Sequence, residues 1–101
     1  MYIVQSIIQV PEHKTEQLID IYRNRSRLVD EQPGFVSFQL LQSENTPAEF
    51  VVQTTWQTKS DYIAWVKGTD FQRIHELERQ YPDQELSDIK PTVKRYVVRA
   101  E

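Results

Sequence analysis

His75 and Trp65 are the two side chains best suited to hold a flat aromatic ligand. They lie ten positions apart within a run from Thr55 to Tyr81 that also contains the second tryptophan, Trp56. A neutral imidazole nitrogen at the edge of an apolar stripe is a metal ligand or an acid–base group, and an indole is a broad, stiff pocket wall. His75 follows Phe71 by four residues and Ile74 by one. At about 100° per residue this places it at the margin of the stripe those two define. The plainer alternatives are a half-buried histidine bonded to Glu76 or Glu78 and a tryptophan packed in a core. His13 falls among charged neighbours early in a helix and reads as solvated. Ser6 puts a hydroxyl on an otherwise apolar strand face, where bonding to backbone is the ordinary use. Arg23, Arg25 and Arg27 read as a solvated helix face.

Other chemistries lack their residues. The chain has no cysteine and only two glycines. That excludes a thiolate metal site, a thiol nucleophile and a glycine-rich phosphate loop. Serine, histidine and acid residues are present without the local signature of a hydrolase. Beyond the lone histidine there is no cluster with metal-ligand spacing.

At 101 residues, with 39% hydrophobic and 27% charged side chains, the composition is that of one globular domain, 1–101. A core of this size is modest, so pairing with a second copy would help it. The net charge of −3 and pI near 5.4 argue against nucleic acid as a main partner, because phosphate binding needs a basic surface. No apolar run is long enough to span a membrane. The N-terminus as it stands lacks the basic-then-apolar pattern of a secretion signal, so a cytoplasmic location is expected.

Several elements must position these residues. Tyr2 to Val10 is rich in β-branched residues and reads as a strand. Tyr2, Val4, Ser6, Ile8 and Val10 share one face; Ile3, Gln5, Ile7 and Gln9 share the other. Pro11 stops it and opens a helix expected to run to about Gln32, with Leu18, Ile21, Tyr22, Leu28 and Val29 recurring at helical spacing. Pro33-Gly34 breaks that helix. Phe35 to Ser43 and Glu49 to Gln57 read as a hairpin, with Phe50, Val52, Thr54 and Trp56 on one face of its second strand. Thr58 and Asp61 resemble a capping box opening a helix whose Ile63 and Val66 face inward. Gly68 ends that helix and Thr69-Asp70 starts another, with Phe71, Ile74, Leu77 and Tyr81 as its buried stripe. Pro82 to Pro91 reads as a loop and Thr92 to Ala100 as the last strand. The order β-α-β-β-α-β defines an α+β, ferredoxin-like fold: an antiparallel sheet with helices on one face. Its other face is left for a second copy to cover.

With these residues in view, the sequence resembles the antibiotic biosynthesis monooxygenase superfamily, whose members are dimeric α/β barrels. Within it, the stretch from Thr55 to Gln80 is similar to the haem-degrading, IsdG-like monooxygenases. The shared motif is a strand ending in Trp56, the linker Thr58-Lys59-Ser60, Tyr62 to Trp65, Phe71, and a histidine ten residues past Trp65. The resemblance implies His75 as the proximal ligand of haem iron, Trp65 as the side chain that distorts the porphyrin, and Phe71 beside them. Ser6 falls where the family has a distal asparagine. A serine is shorter and offers a hydroxyl rather than an amide, which bears on turnover and on the position of cleavage. Haem would be both substrate and cofactor, O2 the oxidant, and an external reductant, delivered by a partner reductase, the source of electrons. A homodimer is implied as well.

Two other functions fit the same residues. One is a cofactor-free oxygenase or isomerase acting on a small aromatic or carbonyl compound, with His75 as acid–base group. The other is a non-catalytic haem-binding protein.

Overall fold

The computed structural model describes residues 1–79 and 83–101. Eight-residue strands β1 (Tyr2–Gln9), β2 (Phe35–Gln42) and β3 (Glu49–Trp56) are joined by β4 (Thr92–Val97) into one sheet of order β2-β3-β1-β4. All neighbours are antiparallel, with Tyr2 opposite Trp56 and Val97, and Ser6 opposite Val52 and Val93. Helices α1 (Thr15–Arg23), α2 (Lys59–Val66), α3 (Thr69–Arg79) and α4 (Gln84–Ser87) complete the β-α-β-β-α-β frame expected from the sequence.

The helices cover one face of the sheet because strand alternation puts the large apolar residues there. Two clusters form on that face. Tyr2, Val4, Val29, Trp56 and Trp65 make one, with Phe35, Tyr62, Val66, Phe71 and Ile74 against it. Ile8, Val10, Leu18 and Phe50 make the other, closed by Ile19, Tyr22, Leu40, Leu86 and Ile89. Trp56 is fully buried, its indole N–H donating to Thr54 Oγ1 at 3.0 Å. On β1, Ser6 stands between Val4 of the first cluster and Ile8 of the second, on the same strand face.

Departures from the sequence expectation have local causes. The first helix does not reach Gln32. A 3-10 turn over Glu12–Lys14 leads into α1, which stops at Arg23, and a second 3-10 turn covers Val29–Glu31. Asn24 ends α1: its backbone N–H and its side-chain amide both donate to the Asp20 carbonyl. Arg25 then turns inward to Asp30, with contacts of 2.9 and 3.2 Å, and the Ser26 hydroxyl accepts from the Leu28 N–H. Short polar side chains bonding to nearby backbone compete with helix continuation. On α2 it is Tyr62, not Ile63, that joins Trp65 and Val66 in packing on the core. Leu77 is 61% exposed rather than buried, and Tyr81 lies outside the described residues. The stretch read as a loop contains α4, capped by the Asp83 carboxylate and tied to Lys14 through Asp83 and Glu85, each at 2.9 Å. The last strand ends at Val97, three residues early.

The start of α2 is fixed as the capping pair predicts. Thr58 Oγ1 accepts from the Asp61 N–H at 3.1 Å and donates to the Asp61 carboxylate at 2.8 Å. Gly34, at φ +78°, brings the β2 entry so close that a Cβ there would overlap the Asp61 carboxylate. Only glycine serves at that turn, and the Pro33-Gly34 breaker therefore also seats the helix that carries Trp65.

The far face of the sheet has no described helix on it. A row of glutamines crosses it: Gln5 Nε2 donates to Gln53 Oε1 at 2.8 Å, and Gln53 Nε2 to Gln39 Oε1 at 3.4 Å. Leu41 and Tyr96 on the same face are 39% and 46% exposed.

Candidate functional site

Trp65, Phe71 and His75 come together through the break at Gly68. Gly68 N–H donates to the Trp65 carbonyl at 3.0 Å, ending α2, and α3 restarts one residue later. The turn swings α3 so that its first aromatic folds back on the indole. Trp65 stacks on Trp56 with centroids 6.5 Å apart, and Phe71 meets Trp65 edge-on at 5.6 Å. His75, one turn further along α3, lies 4.2 Å from Phe71. The result is a continuous row of rings from the sheet centre to the surface.

The ends of that row differ. Trp65 is 9% exposed, held between Trp56, Phe71 and the Tyr2–Val4 wall. The His75 side chain is 48% exposed, with Nδ1 3.5 Å from a carboxylate oxygen of Glu78. Of the two carboxylates considered from the sequence, Glu78 is therefore the one facing the ring. Trp65 and His75 share one aromatic row but are not in direct contact, because Phe71 lies between them. Ser6 is half-buried on the same side of the sheet, at the seam between the two core clusters. His13 stands in the 3-10 turn before α1, away from these groups.

Sequence reasoning missed a cleft over the second core cluster. A cavity of about 400 Å³ opens over β2 at the end of α1. Its floor is Phe38, Leu40, Phe50 and Ile19; Tyr22 forms a side, and Arg23, Arg25 and Arg27 the rim. Arg25 is not the solvated side chain expected. It is 14% exposed, its guanidinium 4.0 Å over the Phe38 ring and paired with Asp30. That hydrogen bond holds the Asp30 carboxyl below the usual carboxylate range. The missed signal was the alternation Arg-Asn-Arg-Ser-Arg, a poor helix continuation that permits the inward turn. Neither Trp65 nor His75 lines this cleft. It is linked to α3 through Tyr22, whose phenol feels the Glu78 charge. A larger, shallow opening of about 690 Å³ is bounded by Gln17, Asp20, Ile21 and Asn24 and gathers no chemically useful set. Among the described residues no three His, Asp or Glu side chains converge as a metal site, and no helix is long and apolar enough to cross a membrane.

With this geometry in place, the relatives are informative. Residues 1–77 match the model of the family described as antibiotic biosynthesis monooxygenase. The chain belongs to that family. It is 29% identical over 85 residues to the heme-degrading monooxygenase of Bacillus thuringiensis (strain Al Hakam), covering 82% of this chain and 78% of that protein. The heme-degrading monooxygenase of Bacillus anthracis (strain A0248) matches with the same figures. Among solved structures, the heme-degrader MhuD of Mycobacterium tuberculosis with two hemes bound in its active site superposes with a TM-score of 0.79 at 20% identity, covering 100% of this chain and 98% of that one. A mutant form of SnoaB, a cofactor-independent oxygenase from Streptomyces nogalater, superposes at 0.74 with 13% identity, covering 99% and 94%. At such identities these two show the shared fold.

Tyr22 is a phenol beside the cleft whose protonation can be tested. Burial, assisted by the nearby Glu78 charge, pushes its pKa from 10 up to about 12. It therefore remains a neutral hydrogen-bond donor at physiological pH and is not poised to act as a phenolate ligand. Because the folded value exceeds the unfolded one, its contribution to stability is complete below about pH 10 and is lost as pH rises through about 12. Tyr22→Phe is expected to remove a phenolate absorbance step near pH 12 and to flatten the stability loss across that interval. Loss of a step near pH 10 instead would place Tyr22 in contact with solvent.

Proposed function

We propose that the protein is a haem-degrading monooxygenase, in which His75 holds haem iron and the porphyrin is opened oxidatively with release of the metal. The observation that carries this reading is the Trp65–Phe71–His75 row, in a chain related at 29% identity over 85 residues to proteins named heme-degrading monooxygenase. The row ends in a half-exposed imidazole whose Nδ1 faces Glu78, and a neutral imidazole nitrogen is a fitting donor for iron. Bound haem and O2 supply the oxidising chemistry, with electrons from an external reductant or partner reductase.

The chain's own residues have distinct tasks. His75 would hold the haem iron. Phe71 backs the imidazole and carries the rigidity of Trp56 and Trp65 to it. Trp65 supplies the hard edge against which the macrocycle distorts. Ser6 lies at the seam between the clusters on the same sheet face and offers a hydroxyl to the distal side. Phe71 and Trp65 would supply apolar surface beside a bound macrocycle.

We further propose that two copies pair through the helix-free sheet face, where the glutamine row and Leu41 present a neutral surface. A cytoplasmic protein of one domain over 1–101 completes the reading.

Haemin titration tests the first proposal. The wild type is expected to shift the Soret band and, with ascorbate in air, to lose it as the ring opens. His75→Ala should weaken binding by more than the roughly 10–100-fold that loss of an outer-shell partner of a ligand costs. Trp65→Phe should bind haem but degrade it more slowly. A shifted band that persists with a competent reductant favours a carrier, and an identical shift in His75→Ala removes ligation by this residue. For the pairing, sedimentation should give about 24 kDa, twice the 12.0 kDa chain, and Val51→Arg on the neutral face should give the single-chain mass. A wild type at the single-chain mass contradicts the dimer.

A further inference from the structure

Glu78 lies on α3 (Thr69–Arg79), near enough to Tyr22 to disfavour that phenol's ionisation. Its carboxylate faces His75, with Oε2 3.5 Å from Nδ1. Phe71 also packs on the same imidazole, its ring centroid 4.2 Å away. The ring is thus confined between an aromatic one turn before it and a carboxylate one turn after it.

We propose that Glu78 is the positioning residue for His75: it accepts the Nδ1 proton, fixes the tautomer, and leaves the Nε2 lone pair free and aimed outward. An imidazole carries one proton when neutral, so a carboxylate that holds it on Nδ1 makes Nε2 the ligating atom. The same contact adds electron density to the ring and favours ferric over ferrous iron. This role rests on the proposed function only for its consequence at iron; the tautomer itself is a property of the ligand-free chain. At 61% exposure Glu78 has little part in the core, so its replacement leaves the fold intact.

The experiment has two arms. Nitrogen-15 NMR of the ligand-free protein, at a pH where the imidazole is neutral, should show His75 protonated on Nδ1, with His13 as internal reference. Glu78→Ala should convert His75 to the Nε2–H form that free histidine prefers. Retention of the wild-type pattern in Glu78→Ala overturns the proposal. With haemin bound, Glu78→Gln should weaken affinity about tenfold and raise the ferric–ferrous midpoint potential. Unchanged affinity and potential, with the His75→Ala control losing its Soret shift, would also overturn it while leaving haem ligation by His75 standing. If His75→Ala binds haemin like the wild type, ligation fails, and the NMR arm alone decides what Glu78 does.

Discussion

The contact between Trp65 and Phe71 across the Gly68 break holds the candidate site together. It joins two helices that share no backbone ladder, and it transmits the fixed position of a buried tryptophan to a half-exposed histidine. Trp56 is fully enclosed and bonded to Thr54, so Trp65 stacked on it has little freedom. Phe71 set edge-on against Trp65 inherits that restraint, and His75 is seated against Phe71. Such ring pairs contribute about 0.5–1.5 kcal/mol each beyond their buried area. Their larger effect is geometric, because a row of interlocked rings moves as a unit.

The sheet and its connections serve that row. Strand alternation places Tyr2, Val4 and Trp56 under it. The Thr58–Asp61 cap and the tight approach at Gly34 fix where α2 begins. On the other side of the Ser6 seam, α1 and α4 close the second cluster, and Lys14 fastens α4 through Asp83 and Glu85. Hydrogen bonding to Asp83 raises the Lys14 pKa, and the same bond lowers that of Asp83, so both remain charged at neutral pH.

Much of this was legible from residue types. Alternation in β1 and β3 identified the buried faces, Pro33-Gly34 and Gly68 the breaks, and Thr58 with Asp61 the cap. Each acts through local chemistry that neighbouring sequence reveals. The Trp65-to-His75 spacing led to the family, and residues 1–77 belong to it. What was not legible depended on competition between distant groups. Leu28 and Val29 keep helical spacing, yet Asn24 and the Arg25–Asp30 pair end the helix before them. Leu77 follows the stripe of α3 but is exposed. Arg25 reads as surface until Phe38, on another strand, provides a ring beneath it. The choice of Glu78 over Glu76 as the partner facing His75 was likewise open until the helix phase was known.

The claim that one imidazole, held at the end of an aromatic row, binds haem iron is tested most directly by spin-echo spectroscopy of the ferric haem complex. With nitrogen-15 in both histidines, one strongly coupled axial nitrogen is predicted, absent in His75→Ala and retained in His13→Ala. A coupling that survives His75→Ala, or none in the wild type, would contradict the account.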